Sequence, residues 1–188
     1  MSLEICRRMI EILSIPFAEK FSPEQSAILI MPGQYQNWRI EQGTKLWPRK
    51  AKHLWVAGTR DDPLYSREDV VQYVRTDSPD ILCGGWAKHT LWQREWARDL
   101  LLKHQQVGHV ILTTAAYHLP RCFLTFLQTL QKANCHREIS LVSLLNPTGQ
   151  SFTDDQVQAE IDRIGIYQKK GYVASFAQLD LFLAQRIV

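Results

Sequence analysis

The sequence predicts a doubly wound α/β fold, a three-layer sandwich with about five parallel strands and extra helices at both termini. Three observations carry this. Five short runs are apolar nearly throughout instead of alternating, as strands of a parallel sheet covered on both faces are. Segments of helical period separate those runs. No linker, internal repeat or low-complexity tract divides the 188 residues, so one domain over 1–188 is expected.

In chain order, a terminal helix over Leu3–Leu13 precedes the first strand, Ala27–Met31 (AILIM). Pro32-Gly33-Gln34 then turns the chain into a short helix, Trp38–Trp47, which Pro48 ends. The second strand is His53–Ala57 (HLWVA). The helix Ser66–Val74 after it opens on a serine cap with acids in its first turn. Asp80–Cys83 (DILC) is the third strand. Lys88–His104 follows with Trp92, Trp96 and Leu100 at i, i+4, i+8, widened by Ala97 and Leu101, so Trp92, Trp96 and the strand residue Trp55 are expected in the core.

Val110–Thr114 (VILTT) is the fourth strand. Pro120–Lys132 starts with proline in its first turn and turns Phe123, Phe126, Leu127 and Leu130 inward. Ile139–Leu145 is the last strand, with Ser140 and Ser143 packed inside it. Asn146–Phe152 is a loop, and Thr153–Lys170 runs from the capping box Thr153-Asp154-Asp155-Gln156 to Lys169-Lys170-Gly171. Ser175–Arg186 is the closing helix.

Composition excludes several classes. The formal charge of +3 is too small to imply nucleic acid, and the basic run Lys45–Lys52 reads as a solvated helix end. Hydrophobic content of 45% with 22% charged residues is that of a globular chain. No apolar stretch is long enough to span a membrane, and Glu4, Glu11 and Glu19 break the signal-peptide pattern around Met9–Phe17. A cytoplasmic protein is expected. Cys6, Cys83, Cys122 and Cys135 form no metal-ligand spacing; a metal could draw on Asp61, Asp62 and Asp77, but Asp61-Asp62-Pro63 reads equally well as a turn, and no metal is expected.

In open α/β sheets ligands sit at the carboxyl ends of the strands, where strand order reverses. A strand order of 3-2-1-4-5 brings Pro32-Gly33-Gln34 against Ala115–Arg121. Arg121 in the first turn of a helix, with His118 just before it, opposes the helix dipole unless an anion lies between them. Either a bound anion or a side-chain carboxylate resolves that conflict. His118 is the candidate proton donor or acceptor there. Glycine recurs at the ends of the first three strands, in Gly33, in Gly58-Thr59 and in Gly84-Gly85, with Trp86 at the ligand edge. The single glycine of Pro32-Gly33-Gln34 makes neither a dinucleotide fingerprint nor a Walker loop, and G-x-S-x-G is absent.

The segment VILTTAAYHLPR, Val110–Arg121, resembles the YdcF, SanA and ElyC family, whose pattern runs strand, Thr-Ser, His-x-Pro-Arg. Ile28–Gln34 resembles its first strand and glycine loop, Arg39 the arginine that follows, and Val56-Ala57-Gly58 the strand ending in Ser-Gly-Gly. Thr90 with Gln93 resembles its Asn-Thr-x-Glu-Asn stretch. The likeness covers about 27–145 and implies a Rossmann-like fold. It also implies ligand-binding roles for Gly33, Gln34, Arg39, Gly58, Thr59, Thr90, Thr114, Tyr117, His118 and Arg121. One soluble member is associated with S-adenosylmethionine, so that molecule or a nucleotide is the implied cofactor. This chain departs from the pattern in its single first-loop glycine, in Ala115, and in having no carboxylate from Gly84 to His89.

Three functions stay open on these residues. The chain is a small-molecule binding protein or transferase holding an anionic, nucleotide-like ligand at the ends of the first and fourth strands. Alternatively it acts on phosphate or pyrophosphate esters through His118 and Arg121. The third is an interaction domain with a vestigial pocket.

Overall fold

The computed structural model describes residues 21–33, 36–58, 66–144 and 153–184. The expected helix Leu3–Leu13, together with Gln34, Thr59 and Asp61-Asp62, lies outside them. The strands are β1 (Ser26–Ile30), β2 (His53–Val56), β3 (Ile81–Cys83), β4 (His109–Ala115) and β5 (Glu138–Leu144). They form one sheet, parallel throughout, in the order β3-β2-β1-β4-β5. The doubly wound, Rossmann-like prediction and its strand order hold.

The helices are α1 (Trp38–Thr44), α2 (Arg67–Val74), α3 (Thr90–Lys103), α4 (Leu119–Lys132), α5 (Asp154–Lys169) and α6 (Phe176–Ala184). Side chains alternate across each strand, so the sheet feeds two cores. Ile28 and Ile30 of β1 join Leu54, Val56 and Ile111 beneath Ile40 of α1 and Val70 of α2. Ala27, Leu29 and Met31 face the larger core with Trp55, Val110, Leu112 and the inner residues of α3 and α4. Phe123, Phe126, Leu127 and Leu130 are all buried, as expected.

The tryptophan stripe differs. Trp55 is fully buried, but Trp92 is 42% exposed, packed edge-on against Trp86 at 5.0 Å between ring centres. The buried face of α3 is Gln93, Arg94, Ala97, Leu100 and Leu101, rotated one position from the stripe read off the sequence. The first turns of α3 put polar side chains inward, toward the loop after β2 and the start of α4. Gln93 Nε2 donates to Gly58 O at 2.6 Å and Arg94 Nε to Cys122 O at 2.7 Å.

The loops after β2 and β3 touch backbone to backbone. A Cβ on Gly58 would lie 1.4 Å from Gly85 O, and one on Gly84 would lie 2.7 Å from Gly58 N. Glycine at the ends of β2 and β3 is therefore a packing requirement here. Gly58→Ala is expected to lose about 1–3 kcal/mol, the usual cost of overpacking. Urea unfolding would read it as a lower midpoint with an unchanged slope.

Candidate functional site

Because β1 and β4 are neighbours, the loops after them open onto a shared cleft of about 500 Å³. Pro32 and Gly33 line it from the β1 side, and Tyr117, His118 and Arg121 from the β4 side. Thr90, Gln93, Lys88 and His89 close it from the start of α3, while Glu160, Arg163 and Tyr167 reach in from α5.

Arg39 forms the floor. The turn at Gly33, closed by Gln36 N donating to Gly33 O at 3.0 Å, starts α1 so that Arg39 points back under the strand ends. Its Nη1 donates to Thr114 Oγ1 at 2.8 Å and its Nη2 to the Tyr117 hydroxyl at 2.9 Å. A Cβ on Gly33 would stand 3.1 Å from Arg39 Cζ, so glycine leaves room for the guanidinium. Arg39 is only 2% exposed, its Nε has no hydrogen-bond partner, and it makes no ion pair among the described residues. Burial lowers its pKa from the usual guanidinium value, and the nearby Tyr117 opposes that.

The conflict between Arg121 and the helix dipole is resolved within the chain. Ala116–His118 form a 3-10 turn that leads into α4, placing Arg121 in its first turn. The carboxylate of Glu160 faces that turn. Arg121 holds it in a fork, Nε to Oε2 at 2.5 Å and Nη2 to Oε1 at 3.2 Å. His118 Nδ1 lies 3.0 Å from Oε2, and Arg163 Nη1 donates to Oε1 at 2.6 Å. His118 Nδ1 faces both Glu160 Oε2 and, at 3.1 Å, Arg121 Nη2, and these contacts hold the ring's orientation. Burial alone would push Glu160 up, but the bonds from His118 and Arg121 overcome it and hold the carboxyl well below the usual range. Burial likewise opposes the charge of Arg121, and Glu160 outweighs it and raises the pKa.

A second buried cation lies behind the wall. Arg94 is fully buried, and its Nη1 donates to Thr90 O while its Nη2 is unpartnered. Burial lowers it to about 10. Cys122, on the next helix, is also fully buried. Burial pushes its thiol up, but His118, Arg94 and Arg121 more than reverse that and bring it to about 7.

Of the residues expected in the site, Gly33, Arg39, Thr90, Tyr117, His118 and Arg121 line the cleft together. Thr90 Oγ1 accepts from Arg121 Nη1 at 3.0 Å. Thr114 and Gly58 stand behind the wall: Thr114 is buried beneath Arg39, and the Gly58 carbonyl anchors Gln93. Gln34 and Thr59 fall outside the described residues. Sequence reasoning missed Glu160, Arg163 and Tyr167. Val157, Glu160, Ile164 and Tyr167 recur at helical spacing on α5, and an acid set in that otherwise apolar stripe was the available signal.

Among the described residues no group of three or more metal-binding side chains exists, and no helix is long and apolar enough to cross a membrane. No family model, curated protein or solved structure matches the chain. The chemistry of the cleft therefore rests on its own residues. Among the described residues four cations line it, Arg39, Lys88, Arg121 and Arg163, against the single carboxylate of Glu160.

Proposed function

We propose that the protein binds a small phosphate-bearing anion in this cleft, as a small-molecule binding protein or transferase. One observation carries the reading: Arg39 is buried on the cleft floor with no carboxylate among the described residues to answer its charge. Buried charges are ordinarily paired, because an unpaired one forfeits hydration without recompense. Glu160 is engaged by Arg121, His118 and Arg163, so the remaining positive charge calls for an anion from outside. A phosphate offers acceptors to guanidinium groups in fork geometry and suits this pattern.

Among the ligands implied by the resemblance to the YdcF, SanA and ElyC family, the charge favours nucleotides over S-adenosylmethionine. The latter brings a sulfonium and an ammonium against one carboxylate, a net cation facing a cationic cleft. Calorimetric titration with inorganic phosphate, pyrophosphate and nucleotides tests the proposal. Binding should raise the melting temperature in step with ligand concentration over affinity. No heat and no shift with any phosphate compound would overturn it.

A second reading is favoured by the contact of His118 with Glu160. An imidazole oriented by a carboxylate at the edge of an anion site is equipped to pass a proton during phosphate-ester cleavage, with Arg121 steadying charge on the transferring group. Turnover of generic phosphate and diphosphate esters by the wild type should then fall about 100-fold or more in His118→Ala. Equal rates would remove His118 from the chemistry.

A further inference from the structure

A second pocket of about 250 Å³ adjoins the cleft, with Thr90, Leu91, Thr125, Tyr167, Lys170 and Tyr172 in its wall. The two cavities meet along His89, Thr90 and Tyr167, which line both. Their chemistry differs. The cleft is lined by guanidinium groups, whereas among the described residues Lys170 is the one lysine or arginine of the side pocket, and an aromatic corner frames it. The rings of Tyr167 and Tyr172 meet edge-on, 6.1 Å apart at 63°.

That corner is a built feature. Gly171, at φ 67°, ends α5 in the left-handed conformation, and Tyr172 N donates back to Tyr167 O at 2.9 Å. Lys132 Nζ holds the turn through Gly171 O at 2.7 Å. Tyr172 is thereby set beside Tyr167 while remaining 42% exposed. Tyr167 serves both cavities, because its ring also lies 5.8 Å from the Arg121 guanidinium.

The geometry points to a ligand of two parts: a phosphate in the arginine cleft and a planar aromatic ring seated against Tyr167 and Tyr172. This rests on the anion-binding reading and specifies its ligand class, a phosphate joined to a flat ring through a short polar spacer. Nucleoside monophosphates have that form. The aromatic corner supplies stacking area without hydrogen-bond readout, so it selects for a ring more than for one base.

Calorimetry with inorganic phosphate, ribose 5-phosphate and adenosine 5′-monophosphate separates the parts. The wild type should bind the monophosphate about tenfold more tightly than ribose 5-phosphate, the lower range of ring stacking. Tyr172→Ala should erase that ratio while leaving ribose 5-phosphate affinity unchanged, and Tyr172→Phe should restore it. An exposed ring is removed, so the melting temperature should hold. If ribose 5-phosphate binds and the ring adds nothing, or if Tyr172→Ala weakens both ligands equally, the two-part ligand is wrong and the anion site stands. If none of the three binds, the anion site itself fails, and the ring seat goes with it.

Discussion

Glu160→Gln is expected to cost about 3–5 kcal/mol, the range seen when one partner of a buried ion pair is removed. Glu160 is 3% exposed and accepts from Arg121 twice, from Arg163 and from His118. The amide keeps the shape but cannot answer three surrounding donors, and its NH2 group points a fourth donor at them. Two guanidinium groups and an imidazole are then left without an anion at the positive end of α4.

Acid titration should show the same group. Glu160 is held below its ordinary carboxylate value of 4.5, so the folded state keeps it ionised where the unfolded chain takes up a proton. The stability it contributes is fully present above that value and is lost as pH falls beneath it. Urea unfolding between about pH 6 and about pH 3 should lower the wild-type midpoint more steeply than that of Glu160→Gln. Parallel slopes in the two proteins would show that Glu160 does not carry the charge of the cluster.

This cluster also marks the limit of what one sequence discloses. The strands were legible because apolar runs are local, and His118 and Arg121 because strand, proline and helix follow one another directly. Pro32-Gly33 could be placed opposite them from strand order alone. Glu160 could not, since it stands 39 residues from Arg121 and meets it only once α5 has returned over the sheet edge. The segment Gly84–His89 holds no carboxylate, yet the site gains one from another helix. The misjudged Trp92 has the same origin. An inward stripe on α3 was expected to be apolar, whereas Gln93 and Arg94 occupy it, Gln93 bonding the Gly58 loop and Arg94 the start of α4. Periodicity identifies a buried face best where burial is hydrophobic, and near a polar site it is not.

Arg39→Met should separate binding from stability. Arg39 donates to Thr114 and Tyr117, but Thr114 Oγ1 also donates to Met31 O at 2.9 Å and Tyr117 is not fully buried. An unpaired buried cation is itself a burden, so an apolar side chain of similar length should change stability by about 1 kcal/mol or less. Phosphate loses its deepest guanidinium, and a charge-assisted bond of about 1.5–3 kcal/mol corresponds to a tenfold to 100-fold weaker affinity. Arg39→Lys keeps the charge without the fork and should fall between the two. Calorimetry and urea unfolding on the three proteins give both axes. A variant that binds phosphate like the wild type would remove Arg39 from the site. A variant that loses several kcal/mol would make Arg39 a structural strut between β1 and β4. Weak binding in a stable protein is the pattern of a residue kept for its ligand, at a position where the fold alone would prefer an apolar side chain.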